Sequence, residues 1–153
     1  MAHTKADQLT QVILNVFRLN GVLTEWGDRF VLPEGLTSTR WRMLGAVALA
    51  QRPVTAPQIA LTMGVTRQGA QKQLNLLVES GLMETQANPM HKRSPLYTLT
   101  AQGQSVYDTV NVRWQHQATD MAAGFGTTDL ETAFHVLKNL SDIHEKSLVE
   151  HKS

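Results

Sequence analysis

The chain has 153 residues, of which 42% are hydrophobic, and it carries a formal net charge of +1 and no cysteine. This length and composition suit a globular domain with helical extensions. The lack of cysteine excludes disulfides and thiolate metal sites, and no apolar run reaches the length of a membrane span, so we expect a cytoplasmic protein without a membrane partner.

The N-terminal third reads as two helices. Apolar residues recur with a spacing near 3.6 from Lys5 to about Phe30 and predict one long amphipathic helix. The stretch 33–35, Pro-Glu-Gly, breaks the chain. Thr37 can cap a second helix, which we expect to end near Gln51.

The next two helices are predicted by their capping residues. Thr55 and Gln58 form a capping box at the start of a short helix, and Gly64 is typical of its C-terminal end. Thr66 can cap a longer helix that runs to about Ser80. Two helices of about eight and fifteen residues, joined by a short turn that contains glycine, are the helix-turn-helix pattern.

A β-hairpin follows the second of these helices. Residues 82–86 and 96–99 read as strands, and Pro95 favours an edge position for the second strand. A two-stranded hairpin placed directly after a helix-turn-helix is a wing. Its tip carries three potentially cationic side chains in a row, His91, Lys92 and Arg93.

The C-terminal third is again helical. Thr100 can cap a long helix, and the stretch 124–126, Gly-Phe-Gly, breaks it. Thr128 and Glu131 then predict a capping box for a last helix. The expected fold class is therefore mainly α with a small β-hairpin wing, in which a winged helix-turn-helix domain is flanked by N- and C-terminal helices.

Charge is concentrated in the middle of the chain. Between Arg40 and Arg93 stand seven Lys or Arg residues against two Asp or Glu, a net of +5. Because the whole chain is +1, the remainder carries −4. A basic middle between acidic ends indicates that the middle meets a polyanion such as double-stranded DNA.

From about Leu36 to Gly103 the chain resembles the MarR (multiple antibiotic resistance regulator) family of winged helix-turn-helix repressors. The resemblance is carried by LTSTRWRMLGAV, APQIALTMGVTRQGAQKQLNLLVESGLM and NPMHKRSPLYTLTAQG. It implies a homodimer whose N- and C-terminal helices interleave, paired winged domains on a pseudo-palindromic operator, and release by a small-molecule inducer. It also implies three parts: residues 1–35 and 101–153 for dimerisation, and 36–100 for DNA binding.

The chain departs from the family pattern at two places. Met90 and His91 stand where the family's wing usually carries an acid that pairs with arginine. We therefore expect a more basic tip that lacks its usual brace and is ordered only on DNA. Gly69 stands in the first turns of the recognition helix, where a β-branched or hydroxyl residue is usual.

The predicted DNA contacts come from the helix start, the wing tip and the preceding helix. Arginine pairs with guanine, glutamine with adenine, and lysine with phosphate. One of Arg40 and Arg42 reaches phosphate, or both lie as surface arginines over Trp41. The predicted set is Thr66, Arg67, Gln68, Gln71, Lys72, His91, Lys92, Arg93 and Arg40.

The sequence also holds candidates for a ligand pocket, whereas metal and catalytic patterns are lacking. Five aromatic residues are candidates for the lining of a pocket that binds a small aromatic or amphipathic ligand, with plain core packing as the alternative: Trp26, Phe30, Trp41, Tyr107 and Trp114. The six histidines show no metal-ligand spacing, and no catalytic motif is visible, so we expect no metal, no cofactor and no enzyme activity. The alternative function is a winged-helix protein-interaction adaptor without DNA-binding activity.

Overall fold

The computed structural model describes residues 3–151 of the chain. This part is mainly helical and carries one small antiparallel sheet, as predicted. The helices are α1 (Lys5–Phe30), α2 (Ser38–Ala50), α3 (Ala56–Met63), α4 (Arg67–Glu79), α5 (Ala101–Ala122) and α6 (Thr127–Glu150). The strands are β1 (Val54–Thr55), β2 (Met83–Gln86) and β3 (Leu96–Leu99).

The chain divides after Asn111 into two compact units, and the division falls within α5. The first unit holds α1 to α4 and the sheet, and the second holds α6. The predicted domain boundaries after residues 35 and 100 stay a prediction. The outermost residues of the predicted N- and C-terminal parts, 1–2 and 152–153, lie outside the described residues. Among residues 3–151, no helix combines the length and apolarity that crossing a bilayer requires.

Three threonines begin the helices of the first unit as predicted. The hydroxyls of Thr37, Thr55 and Thr66 each accept a hydrogen bond from the backbone N–H three residues later, at 3.0 to 3.4 Å. At Thr55 the side chain of Gln58 also accepts from the threonine N–H at 2.9 Å, which completes the capping box. These bonds satisfy N–H groups that have no partner within the helix.

The sheet has three strands rather than the predicted two. Val54 and Thr55 form β1 and pair antiparallel with β3, which also pairs with β2, so the strand order is β1-β3-β2. The prediction that Pro95 confines the last strand to an edge is therefore wrong. Pro95 lies one residue before Leu96, the first residue of β3, and its missing N–H falls outside both ladders.

The core of the first unit lies between α2, α3, α4 and the sheet. Its fully buried large side chains come from α2, α3, α4 and the sheet, so α4 and the wing pack on the same core. They include Met43, Leu44, Ile59, Leu74, Leu77 and Met83.

A close approach fastens α1 to the start of α2. A Cβ at Gly27 would lie 2.8 Å from the Cβ of Ser38, and Asp28 Oδ1 accepts a hydrogen bond from the Ser38 N–H at 2.8 Å. Only glycine allows the two backbones to lie so near each other. The glycine at position 27 therefore serves packing, and α1 continues through it to Phe30.

In the second unit, α6 begins two residues earlier than predicted, with Gly126 rather than Thr128 at the N-cap. Gly126 occupies the N-cap without a side-chain hydrogen bond, and its carbonyl accepts from the Leu130 N–H at 3.2 Å. The predicted capping box of Thr128 and Glu131 is wrong. Because the helix starts at Thr127, Thr128 is already helical and cannot adopt the extended conformation of a cap.

Candidate nucleic-acid interface

The turn between α3 and α4 is fixed by backbone geometry and by one arginine. Gly64 adopts the left-handed conformation at φ 68°, and its N–H donates to the carbonyls of Ala60 and Leu61. The Arg42 guanidinium donates to the Met63 carbonyl at 3.0 Å, so a cation meets the negative end of the α3 dipole. Arg42 thus holds the turn between α3 and α4.

Helix α4 buries one face and exposes the other. Ala70, Leu74 and Leu77 are fully buried against the core. Helical positions three or four apart share a face. On the face opposite the buried residues, side chains at this spacing are polar and exposed. These are Gln68, Lys72, Asn75 and Glu79, and Arg67 is exposed beside them at the first helical position.

Gln71 lies at the border of the two faces and is half-buried. Its Nε2 donates to the Tyr97 hydroxyl of β3 at 2.8 Å and to Asn75 Oδ1 at 2.9 Å. Of the predicted residues, Gln71 alone links α4 to the wing. Asn75 and Tyr97 were missed, although the spacing of Asn75 from Gln68 and Lys72 signals a shared face.

The start of α4 gives Gly69 a local role. The Thr66 hydroxyl accepts from the Gly69 N–H at 3.0 Å, and a Cβ at Gly69 would lie 3.0 Å from the same hydroxyl oxygen. A larger side chain would therefore press on the cap that begins the helix. Thr66 is exposed, so its hydroxyl has this structural task beside any contact with DNA.

The wing tip is braced from within by a buried asparagine. Asn88, only 9% exposed, donates from Nδ2 to the Ser94 carbonyl at 2.9 Å and accepts from the Met90 N–H at 3.0 Å. This amide braces the tip in place of the missing acid, and the expectation that the tip is ordered only on DNA stays a prediction. The tip side chains His91, Lys92 and Arg93 all remain exposed.

Arg40 is held at the start of α2. It is half-buried, and its Nε donates to the Thr37 hydroxyl at 3.3 Å. The same hydroxyl caps the helix through the Arg40 N–H. Arg40 therefore has an anchored stem, and its contact with phosphate stays a prediction.

Three of the five aromatic candidates form one cluster. Trp26 and Phe30 stack with ring centroids 4.8 Å apart, and Phe30 meets Trp41 at 5.6 Å. Tyr107 is half-buried against the core, next to Gly45. Trp114 is half-buried in the second unit. Within residues 3–151, no group of three or more His, Asp or Glu is arranged to hold a metal ion.

Comparison with known proteins gives consistent results. The profile of the MarR family matches residues 34–94. An uncharacterized protein of Mycobacterium tuberculosis is 40% identical over 108 residues, which span 71% of this chain and 74% of that relative.

Two solved structures share the fold over nearly the whole chain. The crystal structure of a MarR family transcription regulator superposes with a TM-score of 0.74, at 27% identity, and covers 95% of each chain. The M. tuberculosis transcriptional regulator MOSR, in complex with DNA, gives a TM-score of 0.71 at 23% identity, covering 88% of this chain and 96% of the other. The chain therefore belongs to the MarR family of winged-helix transcription regulators.

Proposed function

We propose that this protein acts in the cytoplasm as a homodimeric repressor that binds a pseudo-palindromic operator and is released by a small molecule. The observation that carries the DNA contact is the arrangement of the first unit. Helix α4 presents Arg67, Gln68 and Lys72 from its exposed face, while the wing presents Lys92 and Arg93 from a braced tip. Both are mounted on one core.

The two surfaces suit different parts of a duplex. A helix of this kind enters the major groove with its N-terminal residues at the base edges. Cationic side chains on a wing meet the phosphate backbone or the minor groove, where arginine is favoured at narrow sites. Arg67 and Gln68 would specify sequence, and Lys72, His91, Lys92, Arg93 and Arg40 would supply affinity.

The dimer is supported by apolar side chains that are exposed on the long helices. On α1, Phe17 is 73% exposed, and on α6, Phe134 and Leu148 are 62% and 63% exposed. Rows of such residues on the surface of one protomer mark interaction sites. A second copy of the same helices would cover them, as the family resemblance implies.

The ligand would bind among aromatic side chains. Trp26, Phe30 and Trp41 form a continuous cluster at the junction of α1 and α2, and an apolar or aromatic molecule would pack against it. Tyr107, half-buried against the core of the same unit, is proposed as a further contact. Binding there would shift the position of α1 against α2 and so change the spacing of the paired recognition helices.

The adaptor alternative draws no support from the two departures that suggested it. Gly69 makes room for the Thr66 cap, and Asn88 braces the wing without the usual acid. Both features thus belong to an intact winged domain. The proposal assigns no catalytic step to any residue.

Fluorescence anisotropy with DNA from upstream of the protein's own gene tests the proposal. We expect tight, salt-dependent binding that prefers this DNA to a shuffled duplex, and a dimer by light scattering. Reporter transcription should rise when the gene for the regulator is removed. Salt-insensitive binding, or equal binding to the shuffled duplex, would contradict the DNA function, and a fall in transcription would contradict repression.

A further inference from the structure

A chain of hydrogen bonds leads from the wing to the exposed face of α4. The Tyr97 hydroxyl of the central strand β3 accepts from Gln71 Nε2 at 2.8 Å, and the same nitrogen donates to Asn75 Oδ1 at 2.9 Å. Tyr97 is only 3% exposed, Gln71 is half-buried and Asn75 is exposed. This series of hydrogen bonds therefore starts at the buried Tyr97 and ends at Asn75, on the surface proposed to face DNA.

This arrangement uses both donors of Gln71 inside the protein. The amide nitrogen has two hydrogens, and one goes to Tyr97 while the other goes to Asn75. A glutamine that reads adenine needs one of these hydrogens for N7 of the base. Gln71 is thus occupied as a donor before DNA arrives.

Asn75 is turned into one orientation by the same bond. Because Oδ1 faces Gln71, Nδ2 lies in the same amide plane but on the opposite side of Cγ, directed away from Gln71. Asn75 shares its helix face with Gln68 and Lys72, and Glu79 follows one turn later. An acid on this stripe is repelled by phosphate, so Asn75 is the last residue suited to enter the groove.

We infer that Asn75 contacts a base edge through its Nδ2 donors, and that Gln71 and Tyr97 are positioning residues that hold it in this state. The inference rests on the proposed function and deepens it. Bidentate recognition of adenine requires an asparagine that accepts and donates at once. With Oδ1 directed at Gln71, Asn75 presents donors, and guanine offers two adjacent acceptors, N7 and O6.

The bond chain also gives β3 a part in sequence recognition. Tyr97 is held by backbone pairing with both Val54 and Thr85, so its hydroxyl is fixed by the whole sheet. A side chain ordered before binding loses less conformational freedom when it meets its base. The wing strand therefore prepares a contact in the major groove as well as carrying the basic tip.

Selection of bound sequences from random DNA tests this inference, with four single variants beside the unchanged protein. Asn75→Ala should lose one base preference in each half-site and weaken operator binding roughly tenfold per half-site. Gln71→Leu should move the preference at that position from guanine toward adenine, because Asn75 Oδ1 is freed. Tyr97→Phe leaves the bond from Gln71 to Asn75 possible but releases Gln71 from β3, so it should weaken the guanine preference by a smaller amount. Gln73→Leu, a half-buried glutamine on the same helix, is the matched control and should leave the selected sequence unchanged.

The outcomes distinguish the base contact of Asn75 from the positioning role of Gln71 and Tyr97, and both from the proposed function. Binding of each variant to non-specific DNA should stay within about twofold of the unchanged protein, since phosphate contacts carry that affinity. If Asn75→Ala leaves every base preference intact, the base contact is overturned. If only Asn75→Ala acts, and Gln71→Leu and Tyr97→Phe do not, the positioning role is overturned. If the unchanged protein selects no sequence, the proposed function itself is overturned.

Discussion

The side-chain amide of Asn88 donates to the carbonyl of Ser94 at 2.9 Å and so closes the tip of the wing. The two residues are six positions apart, and the segment between them carries the exposed tip side chains of His91, Lys92 and Arg93. Asn88 itself is buried, so the hydrogen bonds of its amide are made within the protein rather than to water. This side chain acts together with two backbone hydrogen bonds in the tip, from the His91 N–H to the Asn88 carbonyl at 3.3 Å and from the Ser94 N–H to the His91 carbonyl at 3.2 Å.

Replacing Asn88 with alanine should therefore loosen the tip. The change removes the side-chain partner of the half-buried Ser94 carbonyl and of the Met90 N–H, and we expect a loss of about 0.5–1.5 kcal/mol in the free energy of unfolding. Denaturant unfolding measures this loss. Asn88→Asp is the control, because it retains the acceptor for the Met90 N–H and loses only the donor to Ser94. Equal stability of all three proteins would contradict the brace.

Gly103 offers a second test, at the joint between the wing and α5. A Cβ at Gly103 would overlap the Leu82 carbonyl oxygen and lie 2.9 Å from its carbon. Gly103→Ala should therefore cost at least about 1–3 kcal/mol of stability, because the backbone must shift. Gly21→Ala in α1 is the control, since a Cβ there meets nothing within 4 Å. That control should stabilise the helix by about 0.5–1 kcal/mol. A neutral Gly103→Ala would show that the joint is not tight.

Thr66 should contribute to stability through its cap, whatever it does on DNA. Thr66→Ala removes the acceptor for the Gly69 N–H and should cost about 1 kcal/mol in the free energy of unfolding without DNA. Thr66→Ser keeps the hydroxyl and should retain most of that stability. Thermal and urea unfolding compare the three proteins. A serine variant as unstable as the alanine variant would point to the methyl group instead of the cap.

The start of α1 should respond to acid through Asp7. The Thr4 backbone N–H, and then the Thr4 hydroxyl, lower the pKa of the exposed Asp7 carboxyl from 3.8. A carboxyl whose pKa is depressed in the folded state stabilises it above the unfolded pKa, and the contribution is lost as pH falls through the folded pKa. The stability difference between the unchanged protein and Asp7→Ala should therefore shrink as pH falls from about 5 to below 3.8.

Asp7→Asn provides the control for this pH dependence. Its amide oxygen still accepts from the Thr4 N–H, but it has no proton to gain in this range. Its difference from Asp7→Ala should be nearly constant with pH. Urea unfolding followed by circular dichroism gives both comparisons. A widening gap between the unchanged protein and Asp7→Ala at low pH would have the wrong sign for a lowered pKa.

The two proposed classes of DNA contact should differ in their response to mutation. Arg67→Ala should cost about 1–3 kcal/mol of operator binding and relax specificity at one base step, if its guanidinium pairs with guanine. Lys92→Ala should weaken binding to all sequences and lower the salt slope by about one, since it contacts phosphate. Anisotropy titrations over a range of salt concentrations measure both effects. The reverse pattern would exchange the roles of α4 and the wing.

Much of the fold follows from short-range signals in the sequence. The three threonine caps and the left-handed glycine at position 64 were predicted from residues no more than four positions apart, and each is present. Thr100, also predicted, accepts from the Gly103 N–H at 3.0 Å at the start of α5. Such signals are reliable because capping and turn geometry depend on neighbours in the chain.

The errors in prediction arose where residues far apart in sequence meet. The two-residue strand β1 has no periodicity of its own, and its pairing with Leu96 and Tyr97 joins segments about forty positions apart. Local sequence at Pro95 predicts an edge strand, but the register that leaves this residue outside both ladders depends on tertiary pairing. The error at the start of α6 is the exception, because it is local: Gly126 occupies the N-cap two residues before Thr128, where the motif predicts it.

The sequence by itself determined the family, the order of the six helices, the two strands of the wing and the basic middle of the chain, because these rest on composition, periodicity and local motifs. Only the tertiary structure decided which polar groups are already engaged. Gln71 is predicted as a free base reader, yet its amide bonds to Tyr97, 26 positions away, and to Asn75. Helical periodicity sets the direction of a side chain, but its hydrogen-bond partners depend on packing between distant segments.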